Sequence, residues 1–379
     1  MKKSLIALAA LSAFATAAQA QSNVQIYGIL DMGYSDLSTT AKSNAGAANG
    51  TTTDAVGINS GAGLSSSRLG FKGTEDLGGG LKAGFTYELG VTPENSTTAH
   101  STRAALLSLS SNSMGSLSFG RGNTLGKNTN DSFSAFGGGA SFEQGAVAYE
   151  VTRGKALADS TATKINAAVD RASNQVTYVS PKFSGFTVAA QLVAKSVDKD
   201  AAANGGETSS SGTAFQLAYA GNGFTAAYTR SNLDTEVEAA DAVAQSAGVL
   251  GSTAVTASKS ETTVDQFGVT YTAGAFKVFG LYNDAEYQAT AGAAKAENKG
   301  YDIGATYTMG KTTLLASFGD GEMKAAGATT VTDVSGMQAQ VRYALSKRTT
   351  AYALYGKTEY EGATKGESDV TMIGVRHAF

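Results

Sequence analysis

At 379 residues, with a formal charge of −3 and no cysteine, the chain has neither the basic excess that nucleic acid demands nor any means of disulfide stapling. Beyond residue 20 no apolar run reaches 18 residues, which excludes helical membrane spans. A mean hydropathy of −0.10 looks soluble, but an averaged scale is blind to apolar residues sorted onto alternate positions.

Residues 1–20 have the form of a secretory leader. Lys2 and Lys3 precede the apolar run Leu5–Ala18, too short to span a bilayer, and Ala18-Gln19-Ala20 is a small-x-small cleavage site. The expected organisation is therefore a leader, 1–20, and one domain, 21–379.

The stretch Ser67–Leu89 sets the pattern of that domain. Leu69 and Phe71 share one face, with Arg68, Gly70 and Lys72 on the other. After a Gly78–Gly80 turn, Leu81, Ala83, Phe85, Tyr87 and Leu89 alternate with Lys82, Gly84, Thr86 and Glu88. A period of two is strand periodicity. In chain order, sixteen such runs are expected at 24–34, 66–73, 81–90, 103–111, 115–122, 170–180, 186–197, 212–220, 224–233, 264–273, 276–287, 299–309, 312–320, 333–345, 349–360 and 369–379. The clearest outward sets include Phe215, Leu217 and Tyr219; Phe267, Val269 and Tyr271; and Met337, Val341 and Tyr343. The run 276–287 is apolar on both faces, so its phase does not orient it.

The connections separate a soluble sandwich from a membrane barrel. They alternate without exception between short turns, such as Asn112–Met114 or Gly310–Lys311, and long stretches: 35–65, 91–102, 123–169, 198–211, 234–263, 288–298, 321–332 and 361–368. Long outer loops and short periplasmic turns are the signature of an outer-membrane barrel, and a sandwich has no reason to sort its loops. In hydrocarbon no sheet edge can stay open, so Val24–Tyr34 and Asp369–Phe379 are expected to pair. The fold class is thus all-β, a sixteen-stranded antiparallel transmembrane β-barrel. That strand number leaves an aqueous channel where eight strands would be filled by side chains. The longest connection, 123–169, carries Phe133, Phe136, Phe142, Val147 and Tyr149, which favours folding into the lumen over a floppy outer loop.

Several segments resemble the general diffusion porins of Gram-negative bacteria, in particular the beta-proteobacterial and neisserial type: Val24-Gln25-Ile26-Tyr27-Gly28-Ile29-Leu30-Asp31, Ser67-Arg68-Leu69-Gly70-Phe71-Lys72-Gly73-Thr74-Glu75-Asp76-Leu77-Gly78, Leu117-Ser118-Phe119-Gly120-Arg121, Asn174-Gln175-Val176-Thr177-Tyr178-Val179-Ser180-Pro181 and the closing Gly374-Val375-Arg376-His377-Ala378-Phe379. The resemblance implies a homotrimer in outer-membrane lipid, an infolded third loop that narrows the lumen, and passage of ions and small hydrophilic solutes by diffusion. It also implies a pore constriction of basic wall residues facing loop acids. By motif match the wall candidates are Arg68 and Arg171, with Lys72 and Lys82 nearby, and phase turns Arg68, Lys72 and Arg171 inward. Arg103 matches a family arginine but shares parity with Leu107 and Leu109, which leaves its direction open. The loop candidates are Asp131, Glu143 and Glu150. Phe379, as a terminal aromatic, fits the family's assembly signal.

Other functions find less support. The only histidines are His100, in a long connection, and His377, outward-phased with Val375 and Ile373; no cysteine exists. A nucleophile–base–acid arrangement needs direct hydrogen-bond reach, and no glycine-rich phosphate cradle opens a helix. No enzyme, cofactor or metal site is expected. The main alternative is a surface barrel acting through its outer loops as an adhesin or as a phage- or host-binding protein. A substrate-specific channel would need aromatic tracks or dense charge rows along the lumen, and none is evident.

Overall fold

The computed structural model describes residues 23–42, 51–60, 63–94, 100–134, 146–148, 151, 169–198, 208–237, 258–362 and 365–379. The expected leader, 1–20, lies outside the described residues. In chain order the elements are β1 (Asn23–Lys42), β2 (Thr51–Asn59), β3 (Arg68–Gly78), β4 (Leu81–Gly90), β5 (Ser101–Ser111), β6 (Gly115–Asn123), α1 (Leu125–Phe133), β7 (Arg171–Val179), β8 (Phe186–Asp198), β9 (Thr208–Gly221) and β10 (Phe224–Val237). They continue with β11 (Ser258–Ala273), β12 (Phe276–Gln288), β13 (Lys295–Met309), β14 (Thr312–Lys324), β15 (Thr332–Ala344), β16 (Thr349–Gly362) and β17 (Lys365–Ala378).

Each strand from β3 onward pairs antiparallel with its sequence neighbour, and the sheet closes on itself. Along one edge β1 pairs with β17, from Ile29↔Ala378 to Lys42↔Lys365. Along its other edge β1 pairs with β3 near the start (Ile29↔Arg68) and with β2 farther along (Gly33↔Asn59 to Ala41↔Thr51). β2 and β3 therefore share one position around the wall, and the seventeen strands among the described residues make a sixteen-stave barrel. Gly63–Ser67, ahead of β3, lies inside the barrel against Asp31 and inner-face residues of β16 and β17. The closing contact is made by backbone, Gly28 N to Phe379 O and Phe379 N to Gly28 O, each at 3.1 Å.

Alternation orients every stave. Phe215, Leu217, Phe267, Tyr271, Ile303, Met337, Val341 and Tyr343 are all exposed on the outer surface, which is the apolar band a lipid-facing barrel requires. Beside the short turns, aromatics gather: Phe186 and Tyr219 have ring centroids 4.9 Å apart, and Phe276 and Tyr307 are 4.3 Å apart. Such girdles sit at membrane–water interfaces. The Gly78–Gly80 turn holds φ of 83°, 61° and 80°, a left-handed run that side chains with a Cβ disfavour.

Two expectations about connections need correction. Residues 35–65 are not one long loop: β1 continues to Lys42 and β2 returns over Thr51–Asn59. Likewise 361–368 is mostly strand, since β16 reaches Gly362 and β17 begins at Lys365. The reason is the same in both places. Apolar alternation stops where lipid stops, but backbone pairing does not, so polar strands continue into water without a sequence period to mark them.

The two-faced run 276–287 is oriented by the fold. Phe276, Val278 and Tyr282 face lipid, while Phe279 and Leu281 are buried inside. Leu281 packs with Phe133, Ala148 and Ala227. Its inner face is apolar because infolded chain covers it.

Candidate functional site

The infolded chain starts at Asn123. Thr124 caps α1, its hydroxyl accepting from Lys127 N at 3.0 Å, and its own N–H reaches Asp170 O at 2.9 Å. A cap of this kind satisfies one of the four free amides at a helix start. The helix lies against the lumen face of β9–β12. Thr129 and Thr229 hydroxyls meet at 2.6 Å, Gln216 Nε2 donates to Thr129 at 3.0 Å, and Gln266 Nε2 and Asn283 Nδ2 both donate to Asn130 Oδ1, at 2.7 and 2.9 Å. Farther along the segment, Val147, Ala148 and Val151 are buried in helical conformation. Asp302 accepts from the amides of Val147 and Ala148 at 2.9 and 3.0 Å, and Asn283 and Asn298 donate to the carbonyls of Ala148 and Val151. Inner-phase glycines make room: a Cβ at Gly268 would enter the Phe133 ring, and one at Gly300 would lie 3.1 Å from Val151.

The arginine wall faces this docked segment. Arg68 extends from β3 with Nη1 3.8 Å from Glu88 Oε1, and Arg103 Nε donates to the same oxygen at 2.7 Å. Tyr27 donates its hydroxyl to Glu88 Oε2 at 3.0 Å. Arg103 is turned inward by a β-bulge: Glu88 opposes Ala104 but Leu89 opposes Thr102, so Arg103 is the extra residue and its side chain leaves the phase of Leu107 and Leu109. A bulge inserts one residue and re-aims its neighbours. A second register shift lies beside Arg171. Gly120 opposes Gln175 and Gly122 opposes Ala172, with Asn174 at φ 54°. Arg171 Nη1 lies 3.6 Å from Asp170, and Lys127 bridges Asp131 at 3.2 Å and Asp170 at 3.8 Å.

Between wall and loop lies a pocket of about 510 Å³ whose lining includes Arg68, Glu88, Arg103, Arg171 and Asp131. Arg68 Nη2 is buried and finds no hydrogen-bond partner among the described residues. Three wall arginines thus converge with one loop acid, Asp131. The other candidates lie elsewhere. Lys72 stands over the Tyr27 ring, 5.3 Å from its centroid, and four residues along β3 from Arg68, about 13 Å at a strand's rise. Lys82 is a correction: it lines a separate pocket at the short-turn end with Ser110, Gly115 and Lys182, because β4 runs six residues from Lys82 to Glu88 before reaching the arginines. Glu143 and Glu150 lie outside the described residues. Glu88, Lys127 and Asp170 were not among the candidates; Glu88 shares the inward phase of Lys82, which would have found it. Among the described residues no three His, Asp or Glu side chains gather where they could hold a metal ion.

These features define a class: a closed transmembrane β-barrel with a polar lumen, narrowed by an infolded loop opposite a row of arginines. Residues 7–363 match the Gram-negative porin family, and the chain belongs to that family. It is 34% identical over 212 residues to an outer membrane porin protein of Bordetella pertussis, covering 53% of this chain and 50% of that protein. It is 38% identical over 193 residues to outer membrane porin protein 32 of Delftia acidovorans, covering 49% and 48%. The chain spans about half the length of these curated relatives. Among solved structures, an anion-selective porin from Comamonas acidovorans superposes with a TM-score of 0.69 at 21% identity, over 95% of this chain and 100% of that one. The trimer form of OmpT from Vibrio cholerae gives 0.63 at 16% identity, over 94% and 99%. At these identities the likeness is one of fold. Family and lipid-facing band together place the barrel in the outer membrane, crossing it many times.

Proposed function

We propose that this protein is a water-filled outer-membrane channel for passive diffusion of ions and small hydrophilic solutes, with a preference for anions. The observation that carries this reading is the passage between the Arg68, Arg103 and Arg171 wall and the docked loop, where these guanidiniums together with Lys127 outnumber Glu88, Asp131 and Asp170 by one charge. Ions passing a narrow, low-dielectric section respond to the charges lining it rather than to the net charge of the chain. The Comamonas relative is named anion-selective, which agrees in direction. The preferred permeant is a small anion, the loop acids moderate its attraction, and Lys72 and Lys82 extend the positive potential toward the short-turn mouth.

The working unit is a homotrimer, as the trimer form of OmpT suggests by its fold. Residues 1–20 are removed on export, and Phe379 is part of the signal read during barrel assembly. The protein performs no catalysis and needs no cofactor. Reversal potentials of purified protein in a planar bilayer under a KCl gradient test the preference; a cation-selective wild type overturns it, and absence of conductance overturns the channel reading. Light scattering in mild detergent tests the trimer.

A further inference from the structure

We propose that Gly63–Ser67 is an inner strap that aims Arg68 and Arg376, and that Asp31 tunes selectivity by holding this strap rather than by facing permeants; the inference rests on the channel reading above.

The strap is unusual because the wall could have run on. β2 ends at Asn59 and β3 begins at Arg68 in the same stave, yet Gly63–Ser67 sits inside the barrel rather than in the wall. Backbone placed inside a lumen needs partners for its amides and carbonyls. Here the wall side supplies them, Asp31 for Ser65 N and Val91 N for Ser67 O at 3.1 Å. Asp31, fully buried on β1, accepts from Ser65 N through Oδ2 at 2.8 Å and from the Tyr352 hydroxyl through Oδ1 at 2.5 Å. Its own amide donates to Ser67 Oγ at 2.9 Å, and that hydroxyl donates back to Asp31 O at 3.2 Å. Leu64 completes the seat. It packs on Tyr352, Leu354, Val370 and Met372, inner-face residues of β16 and β17 that would otherwise meet lumen water.

The strap in turn presents two acceptors. Ser66 O takes Arg68 Nε at 3.0 Å, and Ser65 Oγ takes Arg376 Nε at 2.6 Å. Both guanidiniums are therefore oriented through a segment whose position depends on Asp31. The pairings Ile29↔Arg68 and Asp31↔Arg376 put all of these groups at one level of the barrel. A hydrogen bond fixed at both ends sets where a charge sits, and position decides what a charge does to a passing ion.

This assignment makes a prediction opposite in sign to simple charge counting. If Asp31 were only a lumen acid, Asp31→Asn would make the pore more attractive to anions. If it is a positioning residue, the same change loosens Ser65, releases Arg68 and Arg376, and lowers anion preference. The experiment is the anion-to-cation permeability ratio of the full-length trimer in a planar bilayer under a low-salt KCl gradient. The expected result is a fall of about two-fold or more in Asp31→Asn, the effect of displacing charges that still line the pore rather than removing them. Ser65→Ala, which changes no charge, should move the ratio the same way, and it decides the matter if Asp31→Asn does not assemble. A ratio that rises or stays put in Asp31→Asn, or that Ser65→Ala leaves unchanged, overturns the inference while the channel reading stands. A wild-type barrel that passes no current removes both.

Discussion

The wall of β3–β7 and the wall of β9–β14 face each other across the lumen and use their inner side chains in opposite ways. The first carries Arg68, Arg103 and Arg171 around Glu88, with Arg68 Nη2 lacking a partner among the described residues. The second carries neutral groups, Thr229, Gln216, Gln266, Asn283 and Asn298, whose hydrogen bonds go to the infolded loop, with Asp302 spent on two of its amides. One wall keeps its charge available to whatever passes, and the other commits its polarity to holding a piece of chain in place. Selectivity and aperture are thereby assigned to different residues, so mutations should separate them.

The largest expected effect is on the charged wall. Replacing Arg68 and Arg171 together by Gln should shift permeability toward cations by about thirtyfold at low salt, since each charge contributes roughly 1 kcal/mol at contact distance. Reversal potentials measure it. At 1 M salt the same double variant should approach wild type, because the Debye length falls to about 3 Å. A shift that persists at high salt would mean that the arginines act by filling space, and the contrast between the walls would collapse.

Next comes the docking wall. Phe133 is buried against Leu281 and Ala227, and Phe133→Ala should weaken the seating of α1 by about 3–5 kcal/mol. The expected outcome is larger single-channel conductance and passage of larger sugars in liposome swelling, with little salt dependence. Gly268→Val should act in the same direction by pushing on the Phe133 ring. Asn283→Leu removes donors to both Asn130 and Ala148; at about 1–3 kcal/mol for groups left unsatisfied, it should give noisier open-channel current rather than a wide pore.

Smaller effects sharpen the boundary between the walls. Asp131→Asn should favour anions by only about two-fold, because Lys127 at 3.2 Å already offsets much of that charge. The smallest effect belongs to the outer hairpin. Glu367 pairs with Lys357 at 3.3 Å, both half-exposed, and Glu367→Gln should leave selectivity unchanged and alter stability by no more than about 1 kcal/mol.

Much of this architecture was legible from residue order. Leu69 and Phe71 against Arg68 and Lys72 is enough to set a lipid face and a lumen face, because a strand offers only two directions. Strict alternation of short and long connections sets the barrel, and the need to pair every backbone group in hydrocarbon sets its closure at Val24–Tyr34 and Asp369–Phe379. Phase alone also turned Arg68 and Lys72 inward.

What tertiary structure decided lies where the period of two breaks or is disobeyed. Arg103 has the parity of Leu107, and only the bulge against Glu88 and Leu89 turns it into the lumen. Lys82 and Arg68 share a phase, yet their heights along the barrel differ, and height depends on register between strands rather than on alternation within one. The inner-face apolar residues were the unused signal. Leu281 on β12, and Val370 and Met372 on β17, would be costly in a watery lumen, and each site marks a place where chain folds in to cover it. Which segment does the covering, α1 in one case and Gly63–Ser67 in the other, depends on contacts between residues far apart in sequence, and local order along the chain does not encode such contacts.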